Sequence, residues 1–395
     1  MAEIREVVIV AAARTPIGSF NGTLKDIPAT RLGSIAIKAV IERAGIDPQI
    51  VDEVIMGNVL PANEGQAPAR QAALGAGLGK SVQCVTINKV CGSGLKSVML
   101  AAQAIMVNDA DVIIAGGMEN MSQVPYYLDK ARFGYKMGHA NLIDGMVKDG
   151  LWDVYNDFHM GNAAELCAEE CSIPREAQDE FAKLSYSRAL EAQKKGLFKD
   201  EIIAVEIPQR KGDPIIFSDD EEPGKVRFEK ISSLRPAFKK EGTVTAANAS
   251  SINDGAAALL VMSKEKADVL GLKPMVKIVA QASAAKEPEY FTTAPADSIN
   301  AVLKKAGLSI DDIDLFEINE AFAVVSLINN RLLNLPEEKV NVNGGAVALG
   351  HPIGASGARI LTTLLYAMQQ RQAKRGLASL CIGGGEASAL IVETV

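Results

Sequence analysis

Two distant stretches of this chain carry the same order of apolar and polar positions. Ala39-Val-Ile-Glu-Arg-Ala-Gly45 leads into Val51-Asp-Glu-Val-Ile-Met-Gly-Asn58, and Ala301-Val-Leu-Lys-Lys-Ala-Gly307 leads into Ile310-Asp-Asp-Ile-Asp-Leu-Phe-Glu-Ile-Asn319. Each predicts a helix, a glycine C-cap, an acidic turn and a strand ending in asparagine. The parallel continues. Cys84-Val-Thr-Ile-Asn88, a helix, and Asp111-Val-Ile-Ile-Ala-Gly-Gly117 match Lys339-Val-Asn-Val-Asn343, a helix, and Leu377-Ala-Ser-Leu-Cys-Ile-Gly-Gly-Gly385. Short apolar strands alternating with amphipathic helices predict α/β layers. A duplicated order predicts two such lobes related by a pseudo-twofold, with the strand ends meeting at a shared crevice where ligands of open α/β sheets collect.

Between the repeats the texture changes. Residues 121–152 are rich in Tyr, Lys, Met and Gly with weak periodicity. A helix follows, with Ser172 as its N-cap, Pro174 in the first turn and Gly196 at its end. Then come a strand over residues 201–207 and a charged loop over 209–225. The expected division is a first lobe of residues 1–120 plus 245–270, an insertion of 121–244 lying over the crevice, and a second lobe of 271–395.

At 395 residues the chain is long enough for more than one lobe, and 34 glycines fit many tight turns. A net charge of −7 and the lack of a basic, aromatic-interleaved stripe argue against nucleic acid. The chain opens on charged Met1-Ala-Glu-Ile-Arg5, and the apolar run after it stops at Arg14, short for a signal segment or a membrane span. The expectation is a cytoplasmic protein. Five scattered cysteines predict reduced thiols. Cys167 and Cys171, one helical turn apart, lack a second ligand pair for zinc, so helix packing is expected and no metal site. The glycines around Cys91 and after Gly350 match neither a P-loop nor a dinucleotide fingerprint.

The candidate chemistry lies at the ends of the repeated strands. Cys91, in Val90-Cys91-Gly92-Ser93-Gly94, sits on a turn between a strand and a helix carrying Leu95, Val98, Met99, Ala102, Ile105 and Met106 on one face. A helix N-terminus favours a thiolate there, and the glycine collar allows a ligand's close approach. His351, one of three histidines, lies in a glycine-framed loop before an apolar-periodic helix (Arg359, Ile360, Leu361, Leu364, Leu365). A thiol near imidazole makes a nucleophilic pair. Cys381 ends a strand before Gly383-Gly384-Gly385, a run whose N–H groups suit an anion. Asn319 ends another strand, where helix capping is the plainer role.

Taken together these motifs resemble the thiolase family over essentially the whole chain. The matching segments include Val8-Ile-Val-Ala-Ala-Ala-Arg-Thr-Pro-Ile-Gly18, Gly116-Gly-Met-Glu-Asn-Met-Ser122, Asn319-Glu-Ala-Phe322 and the Cys91, His351 and Cys381 motifs. The resemblance implies a duplicated five-layer αβαβα core with an inserted loop domain that binds coenzyme A. It implies Cys91 as the acyl-accepting nucleophile, His351 as its activator, and Cys381 as the acid/base at the second substrate's carbon. Asn319, through a water, and His351 would form one oxyanion site; the N–H groups of Cys91 and Gly383 would form the other. His159 and Met160 resemble the substrate-loop residues of the biosynthetic subgroup, with His159 near the thioester oxygen; Leu151, Phe238, Ala246, Ser250 and Phe322 match positions along the pantetheine arm. The implied reaction joins two acetyl-CoA into acetoacetyl-CoA and CoA, with no cofactor beyond these thioesters. A thiolase for longer 3-ketoacyl-CoA chains and a non-catalytic acyl-CoA binding subunit are the rivals. Relatives are homodimers or homotetramers, and residues 121–150 resemble a tetramer-forming loop. Two departures stand out. Ser251 replaces a usual glycine and is expected to stiffen the channel; Glu386-Ala387 follow the glycine run, where the carboxylate is expected to raise the Cys381 thiol or alter the acyl-pocket wall.

Overall fold

A computed structural model describes residues 4–395; the first three residues of the charged start lie outside it. Nine strands make one continuous sheet path: β1 (Val7–Arg14), β2 (Glu53–Gly57), β3 (Gln83–Ile87), β4 (Val112–Asn120), β5 (Asn253–Ser263), β6 (Val276–Ala285), β7 (Leu315–Ile318), β8 (Arg375–Ile382) and β9 (Glu386–Thr394). The path divides naturally in two. The first half runs β3-β2-β4-β5-β1 and the second β7-β8-β9-β6, joined only where Val8 and Ile9 of β1 face Lys277 and Val276 of β6. Parallel pairs (β2 with β3 and β4; β7 with β8) and antiparallel pairs occupy equivalent places in both halves.

The repeat holds at the level of single residues. Helix α1 (Ala29–Ala44) ends at Gly45 with φ 66°. Its counterpart in the second half ends at Gly307 with φ 67°, a left-handed cap that favours glycine. One matched strand is missing. Residues 339–343 give only an isolated bridge between Val340 and Phe316 of β7. The reason is Asn341, at φ 46°, whose side chain accepts from Ile318 N–H and donates to Ile318 O, both at 2.8 Å. A side-chain amide takes the bonds a strand's backbone would have made.

Alternation along the strands builds three apolar layers. Val8, Val54, Val112 and Ile114 face α1 on one side. Val7, Ile9, Ile55 and Ile113 face inward, as do Ala378, Leu380, Leu390 and Val392 of the second half. Between them lie α2 (Ser93–Met106) and, later in the chain, the helix Ser356–Arg371. Two helices of the insertion come next, α3 (Met160–Glu170) and α4 (Arg175–Lys195). The second half adds α5 (Ala294–Ala306), which covers Phe316, Leu377, Ala389 and Ile391, then α6 (Ala323–Leu333) and α7 (Ser356–Arg371). The order helix, sheet, helix pair, sheet, helix is a five-layer αβαβα sandwich.

The central helices meet backbone to backbone. A Cβ on Gly94 would lie 2.7 Å from Ala358 N, and one on Gly357 would lie 2.2 Å from Leu95 N. Glycine at both positions lets the N-termini of α2 and α7 close on each other.

Two local expectations need correction. Ser172 does not cap α4: it sits at φ 52°, and the residue preceding the helix is Pro174, with no side-chain cap; Gly196 closes the helix at φ 69°. The strand placed over residues 201–207 shortens to Val205–Ile207. The Glu201 carboxylate is instead buried against the Arg14 guanidinium, at 2.6 Å.

Candidate active site

The turn from β3 into α2 is strained and tightly held. Val90 has φ 45°, a left-handed conformation that is an outlier for a β-branched residue. Asn88 Oδ1 accepts from Val90 N–H at 2.8 Å. Ser93 Oγ accepts from Lys89 N–H at 2.8 Å and donates to Val90 O at 2.7 Å. A Cβ on Gly92 would lie 2.3 Å from Ile382 Cδ1, so the collar is shaped by the residue next to Cys381.

Cys91 stands on the cavity wall but is otherwise enclosed, and burial pushes its thiol up to about 11. That reverses the thiolate expected from the helix N-terminus: desolvation outweighs the N–H groups of Gly383 and Cys91 that reach the sulfur. At rest Cys91 is a thiol, and to act as a nucleophile it would need a base.

His351 can be that base. Burial, then the Arg359 charge, lower its pKa to about 3, so the ring is neutral near pH 7. Ser356 Oγ donates to Pro352 O at 2.9 Å and lies 2.6 Å from His351 Nδ1. With the serine's only proton committed, Nδ1 must carry the ring proton and Nε2 the free lone pair. His351 Nε2 is buried and no protein group bonds to it. The loop is fixed from behind. His351 N–H donates to Asn253 Oδ1 at 3.0 Å, and Gly354 N–H to Glu119 Oε2 at 2.8 Å.

Asn319 follows β7. Its backbone N–H donates to Ser379 O at 2.9 Å, while both amide atoms of its side chain are buried without a protein partner. It caps no helix; α6 begins after Phe322. Cys381 is buried at the end of β8 opposite Ala387, and its thiol is held well above the ordinary range by burial and by the Cys91 sulfur nearby. Glu386 does not act as expected: its carboxylate pairs with Lys89 across the two halves, and it is not among the groups that raise Cys381.

One cavity of about 490 Å³ joins some of these groups. Cys91, His351 and Gly383 line it, together with His159, Met160, Leu151, Phe238, Ala246, Ser250 and Phe322. Asn319 and Cys381 are not wall residues. His159 precedes α3 and its Nδ1 accepts from Gly161 N–H at 3.0 Å. Its ring stacks on Phe238 at 4.8 Å, and burial lowers its pKa, so a neutral ring presents Nε2–H as a donor. Phe322 meets Phe238 and Phe291 edge-on at 6.2 and 6.3 Å. Ser250 Oγ donates to Ala321 O at 2.9 Å. Ser251 Oγ donates to Asn253 Oδ1 at 2.8 Å, the same oxygen that takes His351 N–H; it reaches the histidine loop as well as the channel.

The sequence reading missed several of these residues. Ser356, Asn253 and Glu119 hold the histidine loop; Ser356 and Glu119 lie inside segments that match the family, but no role was read for them there. Lys225 lies at the mouth of the cavity, and an adjoining cleft of about 250 Å³ adds Arg227 and Lys230. The only signal was the density of charge in the loop before them. Among the described residues no group of three or more His, Cys, Asp or Glu is placed to hold a metal ion, and no helix is long and apolar enough to cross a membrane.

Residues 7–265 match the family model for the thiolase N-terminal domain, and residues 272–394 match that for the thiolase C-terminal domain. The chain belongs to the thiolase family. This thiolase is 57% identical over 391 residues to acetyl-CoA acetyltransferase 2 of Arabidopsis thaliana, covering 98% of this chain and 97% of that protein. It is 54% identical to acetyl-CoA acetyltransferase of Schizosaccharomyces pombe, over 99% of both chains. The crystal structure of the Bacillus anthracis acetyl-CoA acetyltransferase superposes with a TM-score of 0.98 at 41% identity over the full length of both chains.

Proposed function

We propose that this thiolase is an acetyl-CoA C-acetyltransferase, condensing two acetyl-CoA into acetoacetyl-CoA and CoA through an acetyl group carried on Cys91. The supporting observation is one cavity lined by a neutral imidazole with a bare Nε2 and by a thiol met by two backbone N–H groups, with a second, buried thiol that the charge of the first one reaches.

His351 Nε2 takes the Cys91 proton as sulfur attacks the thioester carbon. Imidazolium then returns it to the departing CoA sulfur. Cys381, acting here as its thiolate, takes an α-proton from the second acetyl-CoA; the carbon attacks the Cys91 thioester and expels the Cys91 thiolate, which takes that proton from Cys381 and restores the starting state. Removing that proton is feasible only if fixed donors hold the enolate oxygen. We assign His351 and Asn319, the latter through a water, to one oxyanion, and the N–H groups of Cys91 and Gly383 to the other. Each donor of this kind contributes roughly 2.7–4 kcal/mol in the transition state. CoA leaves after the first step, before the second acetyl-CoA enters, and acetoacetyl-CoA leaves after the second, which gives ping-pong kinetics.

The apolar wall of Leu151, Met160, Phe238, Ala246, Ser250 and Phe322 suits a pantetheine arm, and Lys225, Arg227 and Lys230 suit the phosphates of CoA. We assign the CoA-binding insertion to residues 121–244 and the two lobes to 1–120 plus 245–270 and 271–395. The proposal includes a cytoplasmic enzyme that needs no cofactor and works as a homodimer or homotetramer. Exposed Phe133, Met137 and Leu142 in the 121–150 region are apolar enough to support the assembly. Thiolysis rates on acetoacetyl-CoA and 3-ketodecanoyl-CoA test the substrate: a faster reaction on the shorter chain is expected, and clear preference for the longer one would defeat the assignment.

A further inference from the structure

A second pair of thiols lies away from the cavity wall. Cys167 and Cys171 lie at the C-terminal end of α3 with their Sγ atoms 4.0 Å apart, Cys167 buried and Cys171 half-exposed. The helix is regular there, since Cys171 N–H donates to Cys167 O at 2.9 Å. At 1.5 Å rise per residue, Cα atoms four positions apart are about 6 Å apart. That lies inside the window of about 4.4–6.8 Å that a disulfide accepts. The sulfurs must close from 4.0 Å to about 2.05 Å; helical positions four apart hold their Cβ atoms about 5–6 Å apart and a disulfide spans about 3.5–4.5 Å, so the backbone at Cys171, the C-cap of the helix, must shift as the bond forms.

The two thiols are not equivalent. Cys167 packs in the apolar cluster with Phe291, Ala249 and Phe322, and burial and the neighbouring Cys171 push it up to about 12. Cys171 faces solvent in part, and Arg331 of α6 donates to its carbonyl oxygen at 2.8 Å, bringing a guanidinium beside it. Access to an oxidant is the condition that Cys171 meets and Cys167 does not.

We propose that Cys167 and Cys171 form a second, non-catalytic thiol site that a hydroperoxide oxidises to an intrahelical disulfide. The Cys171 thiolate attacks the peroxide oxygen, breaking the O–O bond and giving a sulfenic acid and an alcohol after one proton is taken up. The Cys167 sulfur then attacks the Cys171 sulfur; its proton and the hydroxyl leave together as water. Overall two thiols and one hydroperoxide give one disulfide, one alcohol and one water. The site is coupled to the cavity by its helix. The same α3 starts at Met160 on the cavity wall, and midway its Glu165 accepts from Thr243 and Val244 N–H at 2.8 and 2.8 Å.

The chain itself makes the test clean. Residues 149–174 contain no Lys or Arg, so trypsin leaves Cys167 and Cys171 on one peptide ending at Arg175 and the other three cysteines on different ones. Full-length protein is titrated with tert-butyl hydroperoxide, alkylated with iodoacetamide, digested and weighed. The expected result is a peptide of residues 149–175 two hydrogens lighter than its dithiol, bearing no alkyl group, and restored by dithiothreitol. In Cys171→Ser that species falls to background while alkylation of Cys91 and the melting curve match the unsubstituted protein. The proposal is overturned if both cysteines remain alkylatable at peroxide levels that consume Cys91. It is equally overturned if Cys171 passes to sulfinic acid with Cys167 still alkylated.

Discussion

Removing the Ser356 hydroxyl isolates the step that makes His351 a base. In Ser356→Ala the His351 Nδ1–H loses its only acceptor, found at 2.6 Å. The fold loses little, because Pro352 O still accepts from the N–H groups of Ala355 and residue 356, both at 2.9 Å. Leaving a buried donor unpaired costs about 1–3 kcal/mol. That penalty falls on the tautomer that leaves Nε2 bare, and at about 1.36 kcal/mol per decade it corresponds to a roughly 5- to 150-fold slower acylation. The assay is the pre-steady-state burst of CoA release from acetyl-CoA, beside a thermal melt. Ser97→Ala is the control: Ser97 Oγ is also buried between the central helices and sheet but bonds Gly94 O and Gly116 O, away from the histidine. The burst is expected to slow in Ser356→Ala and to stay within about twofold in Ser97→Ala, with both melts cooperative. A Ser356→Ala burst as fast as that of the unsubstituted enzyme would refute the tautomer argument.

Other expectations follow from the same geometry. His351 is held near 3, so its base form is complete throughout the neutral range, and acylation should show no break near the ordinary imidazole value of about 6.5; a break there that vanishes in His351→Asn would contradict this. The same shift sets a sign for stability: the unfolded histidine protonates first, so folding free energy is lost as pH falls from about 6.5 towards 3, by up to about 1.4 kcal/mol per pH unit, and urea titrations of His351→Asn should show a shallower slope. Glu386→Gln breaks a partly exposed pair with Lys89, so stability should change by no more than about 1 kcal/mol and the pH profile of the condensation step should not move; a clear shift of that profile would mean that Glu386 reaches Cys381 after all. Gly357→Ala puts a methyl 2.2 Å from Leu95 N and should destabilise by about 1–3 kcal/mol or more; an unchanged melting temperature would show that the central helices are not in tight contact.

The duplicated architecture was legible because it is written locally: a periodic helix, a left-handed glycine and an alternating strand each occur twice in the same order. The second half's fifth strand was misread because the apolar pattern of residues 339–343 cannot show that the Asn341 side chain will take its bonds at Ile318. The candidate residues were legible too, since Cys91, His351 and Cys381 each sit in a glycine setting, although Gly94 and Gly357 also serve the packing of the central helices. Their protonation states were not. Whether a helix N-terminus or burial controls the Cys91 thiol depends on how much protein closes over it, which comes from the other half of the chain. The same holds for Asn253 and Glu119, which meet the histidine loop from positions far away in sequence. Ser356 lies only five residues from His351, but its hydroxyl reaches the ring only because residues 352–356 turn into α7.

The account stands on an acetyl group passing through Cys91. The direct measurement is acid quenching of the enzyme with [14C]acetyl-CoA, followed by proteolysis and assignment of the label. One acetyl group on the peptide carrying Cys91, discharged by free CoA and absent from Cys91→Ala, is the predicted result. Label on Cys381 instead, or an unlabelled protein that still turns over, would contradict it.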